Sequence, residues 1–278
     1  PKIFGSKIVL DIHDIVPEFY ASKFKVSENS KIFRLLLFVE KISILFSDHI
    51  IIANHLWYEK LLKRSITRKN SSVYLNYPDQ DIFYRRKKSR KDDKFIIIYP
   101  GSLSWHQGID IAIESIKIVL IHENNVKFYI YGEGPEKEKL IKLIRELSLE
   151  EKVKVEKPIE LNRIAEIIAE ADLGIVPKRK DSFGNEAFST KILEFMSLGI
   201  PVIASNTKIE KYYYTENEIT FFKSENIQDL ASKIIYLIKN SDVRDKLINS
   251  GYVYIDKNNW NKHKIRYFKL VDNLIESN

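Results

Sequence analysis

A chain of 278 residues with 44% hydrophobic and 30% charged content is long enough for one large or two medium domains, and this composition excludes extensive disorder. The absence of cysteine excludes a disulfide scaffold, a thiolate zinc site and cysteine nucleophile chemistry; the six histidines offer one close pair, His49 and His55, at the wrong spacing for adjacent helix ligands, so no metal site is expected. The net charge of +7 is concentrated in residues 1–94, where 19 basic residues face 11 acidic ones.

Short apolar runs alternate with helical patterns along the chain. The runs are IVLDIH from Ile8, HIIIAN from His49, SVYLNY from Ser72, FIIIYPG from Phe95, VKFYIYGEG from Val126, VKVEKP from Val153, DLGIVP from Asp172, PVIAS from Pro201 and EITFF from Glu218. Helix-length segments between them include FRLLLFVEKISILF from Phe33, IDIAIESIKIVLIH from Ile109 and PEKEKLIKLIREL from Pro135. The first of these is interrupted by Glu40 and Lys41, too early for a membrane span, and reads as a buried amphipathic helix. Continuous apolar strands separated by helices predict an α/β fold with parallel sheets covered on both faces.

The turn-rich segment NYPDQDIF from Asn76 and the run RRKKSRKDDK from Arg85 mark a boundary, giving a first domain over 1–84, a second over 85–258 and a closing helix over 259–278. No aromatic residue interleaves the basic run, which therefore reads as a solvated linker and not as a nucleic-acid surface; no nucleic-acid partner is expected. The chain opens at Pro1 without a Met, and only three strand candidates precede the boundary. The first domain is accordingly expected to lack its opening strands and to expose an unpaired apolar sheet edge.

Seven of the nine glycines fall between residues 101 and 199, and Gly101, Gly132, Gly134 and Gly184 follow strand candidates or sit in the loops after them. Open α/β sheets bind ligands beyond the carboxyl ends of their strands, where glycine lets backbone amides approach phosphate. The richest stretch, VPKRKDSFGNEAFSTKILEFMSLGIPVIAS from Val176, predicts a strand ending at Pro177, a polar loop, and a helix with Ser189 at its N-cap and Gly199 and Pro201 at its end. The amides of Phe188, Ser189, Thr190 and Lys191 would then form an anion-binding helix N-terminus, with Lys178, Arg179, Lys180 and Lys191 adding charge. Glu186 and Glu194 stand at an E-x7-E spacing shared by Glu138/Glu146 and Glu210/Glu218, so the spacing alone says nothing.

In that context EAFSTKILEFMSLGIPVI from Glu186 resembles the donor-binding segment of retaining glycosyltransferases of family 4, which adopt the GT-B fold of two Rossmann-like, doubly wound parallel-sheet domains. YPGSLSWHQGIDIAIESI from Tyr99, YGEGPEKEKL from Tyr131, LDIHDIVPEFY from Leu10 and WNKHKIRYFKLVDNLI from Trp260 are similar to further segments of that family, in the same order. The resemblance implies metal-independent, retaining transfer of a sugar from a nucleotide-diphosphate donor, a co-substrate and not a cofactor, to a glycan or lipid-linked acceptor. The setting would be polysaccharide or glycoconjugate assembly in the cytoplasm, peripheral to the inner membrane face, with an anionic membrane surface as partner of the basic first domain.

Residue by residue, the resemblance implies that Glu194 holds the ribose hydroxyls, that Glu186 holds hydroxyls of the transferred sugar, and that amides near Phe188, Ser189 and Thr190 approach the diphosphate. Gly101, Ser102 and Gly108 would line the phosphate side, Gly134 would lie near the base, and His13 would face the reacting sugar. Ser102 and Gln107 stand where the family carries a diphosphate-gripping Arg and Lys, and Arg179 and Lys191 are expected to replace them. Alternatives are a silent GT-B scaffold subunit and a nucleotide-sugar epimerase; a dinucleotide oxidoreductase fits poorly, since GSLSWHQG is not G-x-G-x-x-G.

Overall fold

The computed structural model describes residues 5–276, so the expected domain ends at 1–4 and 277–278 lie outside the described residues. The chain divides into two compact units. The first comprises residues 1–77, 181–188 and 259–278, and the second residues 78–180 and 189–258. The division falls at Tyr77/Pro78 instead of after residue 84, and the segment Asp181–Phe188, read from sequence as part of the second domain, groups with the first unit.

In the first unit, β1 (Val9–Ile12), α1 (Val16–Phe24), α2 (Lys31–Leu45), β2 (His49–Ile52), α3 (His55–Leu62) and β3 (Ser71–Val73) follow one another. Its three described strands are parallel in the order β1-β2-β3, with Val9 opposite His49 and Ile50 opposite Ser71. All four residues of β2 are buried, as a central strand between two covered faces requires. The Ser30 hydroxyl accepts from the Phe33 amide and the Asn54 side chain from the Trp57 amide, capping α2 and α3. Ile12, Ile15, Ile44, Ile50, Trp57 and Leu61 form the core, and Phe183 joins it with its ring 5.6 Å from that of Trp57 and 5.0 Å from that of Phe19.

Helix α2 departs from the expected buried helix: only Phe33 and Ile44 are buried, while Leu35, Phe38, Val39, Ile42 and Leu45 are exposed. The cause is an inward-facing charge. Arg64 binds Glu40 at 2.6 and 2.9 Å and Glu18 at 2.6 and 3.2 Å, and Glu18 is 4% exposed. This network fixes the rotation of α2 with Glu40 inward and a strip of apolar side chains outward.

The second unit contains β4 (Phe95–Pro100), α4 (Ile109–His122), β5 (Val126–Tyr131), α5 (Lys137–Glu146), β6 (Val153–Glu156), α6 (Leu161–Ala169), β7 (Leu173–Val176), α7 (Thr190–Leu198), β8 (Val202–Ser205), α8 (Lys208–Tyr213), β9 (Thr220–Phe222), α9 (Ile227–Lys239) and α10 (Ser241–Lys257). Its six described strands run in the order β6-β5-β4-β7-β8-β9, every pair parallel. The winding reverses between β4 and β7, the switch point at which such sheets open a crevice beyond their carboxyl ends. The basic run is not a free linker: the Ser89 and Arg90 amides donate to Glu170 at 3.0 and 2.8 Å, and Lys88 and Arg90 both pair with Asp172. Asp172 also accepts from the Ile96 amide at 2.8 Å, which ties the run to the start of β4.

The closing helix α11 (Trp260–Glu276) belongs to the first unit, where Tyr267 meets Tyr74 edge-on at 5.6 Å and His263 stacks on Tyr77 at 5.2 Å. No helix among the described residues is long and apolar enough to cross a membrane.

The loops leaving β4 and β5 lie backbone against backbone. The Gly101 amide donates to Tyr131 O at 2.8 Å and the Leu103 amide to Glu133 O at 2.9 Å, and a Cβ on Gly132 would sit 1.9 Å from Gly101 O. Gly132→Ala should therefore destabilise the chain by about 3 kcal/mol in chemical denaturation. Gly251→Ala, where a Cβ would meet the flexible Met196 side chain at 3.1 Å, should stay within about 1 kcal/mol of the parent.

Candidate functional site

At the carboxyl ends of β4 and β5 lies a cavity of about 450 Å³ within the second unit. Pro100, Gly101 and Ser102 form one wall, Tyr131, Gly132 and Glu133 a second, and Thr190, Lys191 and Glu194 from the first turns of α7 a third; Phe83, Ile159, Leu161 and Ile164 supply an apolar flank. A cavity of similar size beside α6, lined by Ile96, Tyr129, Arg163, Glu166 and Glu170, has no glycine loop in its walls and carries two carboxylates. The first cavity is the one whose chemistry suits an anionic ligand.

Helix α7 brings its charges here because Gly174 leaves room for it. A Cβ on Gly174 of β7 would lie 2.6 Å from the Phe195 ring, so the helix seats directly on the strand. Lys191 then reaches across Gly101, whose φ of 141° and missing side chain admit it: a Cβ there would be 2.4 Å from Lys191 Cε. The Lys191 ammonium lies 5.3 Å from the centre of the Tyr99 ring. Burial pushes the Lys191 pKa down, Glu194 pulls it back up and Lys178 lowers it further. Burial raises the Glu194 carboxyl, opposed by Lys191 and by a hydrogen bond with Thr190. Beside them, Lys178 Nζ meets Glu210 Oε1 at 2.8 Å, with side chains 3% and 1% exposed.

Of the residues singled out in the sequence, Gly101, Ser102, Thr190, Lys191 and Glu194 come together on this cavity. Ser189 occupies the N-cap position, but its hydroxyl makes no capping bond; Ser189 Oγ is buried without a hydrogen-bond partner among the described residues. Gly108 and Gly134 are not among the lining residues, and chain packing explains both: a Cβ would lie 2.1 Å from Pro177 O at Gly108 and 2.5 Å from Leu103 O at Gly134.

Arg179 is engaged elsewhere. Its guanidinium forks onto Asp110 at 3.0 and 2.6 Å, donates to Trp105 O at 2.6 Å and lies 3.4 Å from a Glu225 oxygen. Glu186 and Phe188 fall in the first unit, where Glu186 Oε2 pairs with Lys60 Nζ at 2.5 Å and its carbonyl accepts from the Asn54 side chain at 3.1 Å. His13, also in the first unit, has a side chain 59% exposed, with Nε2 3.2 Å from Asp11 and Nδ1 3.2 Å from the Asn76 amide nitrogen.

Sequence reasoning gave no role to Lys60, Asp110 and Glu133, and set Glu210 aside as one of the E-x7-E pairs. Glu210 carried a signal, since it follows Thr207 by three residues in the T-x-x-E pattern of a capping box, and Asp110 stands in the first turn of α4. Lys60, within an ordinary helix sequence, carried none.

The family described as Glycosyl transferases group 1 matches residues 80–254. The O-antigen biosynthesis glycosyltransferase WclY of Escherichia coli is 29% identical over 247 residues, covering 84% of this chain and 63% of the relative. Among solved structures, Anabaena HepE in complex with UDP and glucose superimposes with a TM-score of 0.79 at 17% identity, over 98% of this chain and 73% of its own. Staphylococcus aureus TarM, in complex with Fondaparinux, alpha-GlcNAc-glycerol and UDP, does so with a TM-score of 0.75 at 18% identity, over 97% and 52%. The fold is thus α/β of the GT-B type, and the chain spans 54% to 63% of the length of the curated relatives WclY.

The raised Glu194 carboxyl has a consequence for stability. A carboxyl whose folded pKa exceeds its ordinary value of 4.5 binds its proton more tightly in the folded state, so its contribution is present below 4.5 and is lost as pH rises through the folded value. Glu194→Gln should raise the melting temperature of the ligand-free chain at neutral pH and remove that part of the loss, with Glu210 unchanged in both proteins. Thermal unfolding of the two proteins between pH 4 and pH 8 checks this; equal curves would show that Glu194 carries no such burden.

Proposed function

The chain belongs to the glycosyl transferases group 1, and we propose that its second unit binds a nucleotide-diphosphate sugar with the diphosphate at the N-terminus of α7. One arrangement carries the reading: a half-buried lysine laid across a glycine loop, at a helix start whose Ser189 hydroxyl lacks a partner among the described residues. Helix N-terminal amides and a cation together favour a dianionic group. Glu194, one turn along, accepts from ribose hydroxyls, and the apolar flank around Ile159 and Leu161 takes the base. Lys191 alone takes over from the Arg and Lys that Ser102 and Gln107 displace, because the Arg179 guanidinium is already occupied.

The reaction is metal-independent, retaining transfer of family 4 type, in which Lys191 and the α7 amides stabilise charge developing on the leaving diphosphate. Glu186 as the partner of the transferred sugar and His13 as the residue facing it rest on sequence resemblance alone. HepE and TarM were solved with UDP, which supports a nucleotide donor, and WclY is named for O-antigen biosynthesis, which supports polysaccharide assembly; a glycan or lipid-linked acceptor rests on the sequence resemblance. The positive excess of residues 1–94 supports an anionic membrane surface at the cytoplasmic face as partner.

Isothermal titration with UDP and GDP tests the site. Lys191→Met and Glu194→Ala should each weaken the bound nucleotide about 10- to 100-fold, the range for a lost charge-assisted hydrogen bond. Glu186→Ala should leave nucleotide affinity unchanged, since its assigned partner is the sugar. Native affinity in Lys191→Met would overturn the diphosphate assignment. Absence of binding by the parent chain to every nucleoside diphosphate would favour the silent scaffold.

A further inference from the structure

We infer that Arg179 is a positioning residue, acting on the donor through the loop between β4 and α4, and that Asp110 is its obligatory partner. The inference rests on the donor site proposed above. A guanidinium carries five N–H donors in one plane. Here Nη1 donates to Trp105 O at 2.6 Å and Asp110 Oδ1 at 3.0 Å and Nη2 to Asp110 Oδ2 at 2.6 Å, Nε forms an ion pair with Glu225 Oε1 at 3.4 Å, and the guanidinium lies 4.7 Å from the centre of the Trp105 ring. Two carboxylates face one cation and more than neutralise it, and Arg179 is 8% exposed. Neither charge nor donor geometry is left for bidentate capture of a phosphate.

The contacts instead hold a wall. The Arg179 amide donates to His106 O at 2.9 Å, and Gly108 lets Pro177 O press against the same loop. Further along, the Ser224 hydroxyl donates to Lys178 O at 3.0 Å, and Glu225 reaches Arg179 from a backbone with φ of 63°, a conformation that a side-chain-bearing residue adopts only when its surroundings impose it. One guanidinium therefore joins the loops after β4, β7 and β9. The first of these begins with Gly101 and Ser102, which line the donor cavity. Fixing its far end at Trp105 and His106 fixes where those two residues stand.

UDP titration with Arg179→Met, Arg179→Lys, Asp110→Asn and the double variant Arg179→Met/Asp110→Asn separates positioning from direct binding. Each should weaken UDP about tenfold, within the range for residues that act on a ligand without touching it. The double variant, which leaves no unpaired buried charge, should be no worse than either single one. Lysine should fail to rescue because it cannot form the fork. Amide hydrogen exchange should quicken over residues 102–107 in each variant.

UDP binding that tightens in Asp110→Asn would mean that a released Arg179 is a phosphate ligand and would overturn the proposal. So would native UDP affinity in all four variants with only a lowered melting temperature, or unchanged exchange in that loop. If Lys191→Met keeps native UDP affinity, the donor site itself is misassigned; the exchange measurement then still decides whether Arg179 and Asp110 hold the loop.

Discussion

The second unit depends on one steric constraint: the loops leaving β4, β5 and β7 must meet with no side chain between them. Gly101 O, Leu103 O and Pro177 O occupy the space that β-carbons of Gly132, Gly134 and Gly108 would take. That closeness lets backbone amides of one loop satisfy carbonyls of the next, as Gly101 does to Tyr131 and Leu103 to Glu133. The cavity is lined by the loop starts that this contact holds together, Gly101 and Ser102 on one side and Gly132 and Glu133 on the other. Glycine here serves loop-to-loop packing, and at Gly101 it admits the Lys191 side chain.

Charge compensation is the second organising principle, and it separates two kinds of buried cation. Arg179 and Lys178 each face a carboxylate within hydrogen-bond distance, Asp110 and Glu210 respectively. Such pairs contribute little net stability after desolvation, but removing one partner is costly, so they act as fixed geometry. Lys191 and Glu194 interact without a short contact, and burial moves both away from their charged forms. A site held in that condition is stabilised by whatever brings negative charge to the lysine and hydroxyls to the carboxylate.

The strand pattern was legible in the sequence because short runs rich in β-branched and aromatic residues, such as FIIIYP and VKFYIY, are bounded by turn residues; eight of the nine strands of the described residues fall within the runs read from it, and β3 begins one residue earlier, at Ser71. The segment from Glu186 to Ser205 was legible because helix start, helix stop and the following strand are all written locally. What escaped notice is non-local. That Arg179 is neutralised by Asp110, 69 residues earlier, and that Glu40 turns inward to Arg64, 24 residues later, depend on which charges the fold brings together. Composition says that charges are present; only the packed chain says which are already compensated. The apolar residues of α2 were misread for that reason, since periodicity shows that a helix is two-faced but not which face an inward ion pair selects.

The assignment of Asp181–Phe188 to the first unit, by a chain that is otherwise in the second on both sides of it, makes the two units topologically inseparable. Phe183 and Ala187 belong to the apolar cluster built around Trp57. Neither unit is therefore a contiguous cassette: recombination between relatives at Tyr77 and Asn258 would transplant this segment together with a sheet that is not its packing partner. The rings of Trp57 and Phe19 pack on Phe183, more than a hundred residues away in the chain, so a change of size at one of them alters the packing of the others. An exchange of residues 78–258 as one block would set a foreign residue 183 against the native Trp57 and Phe19 rings.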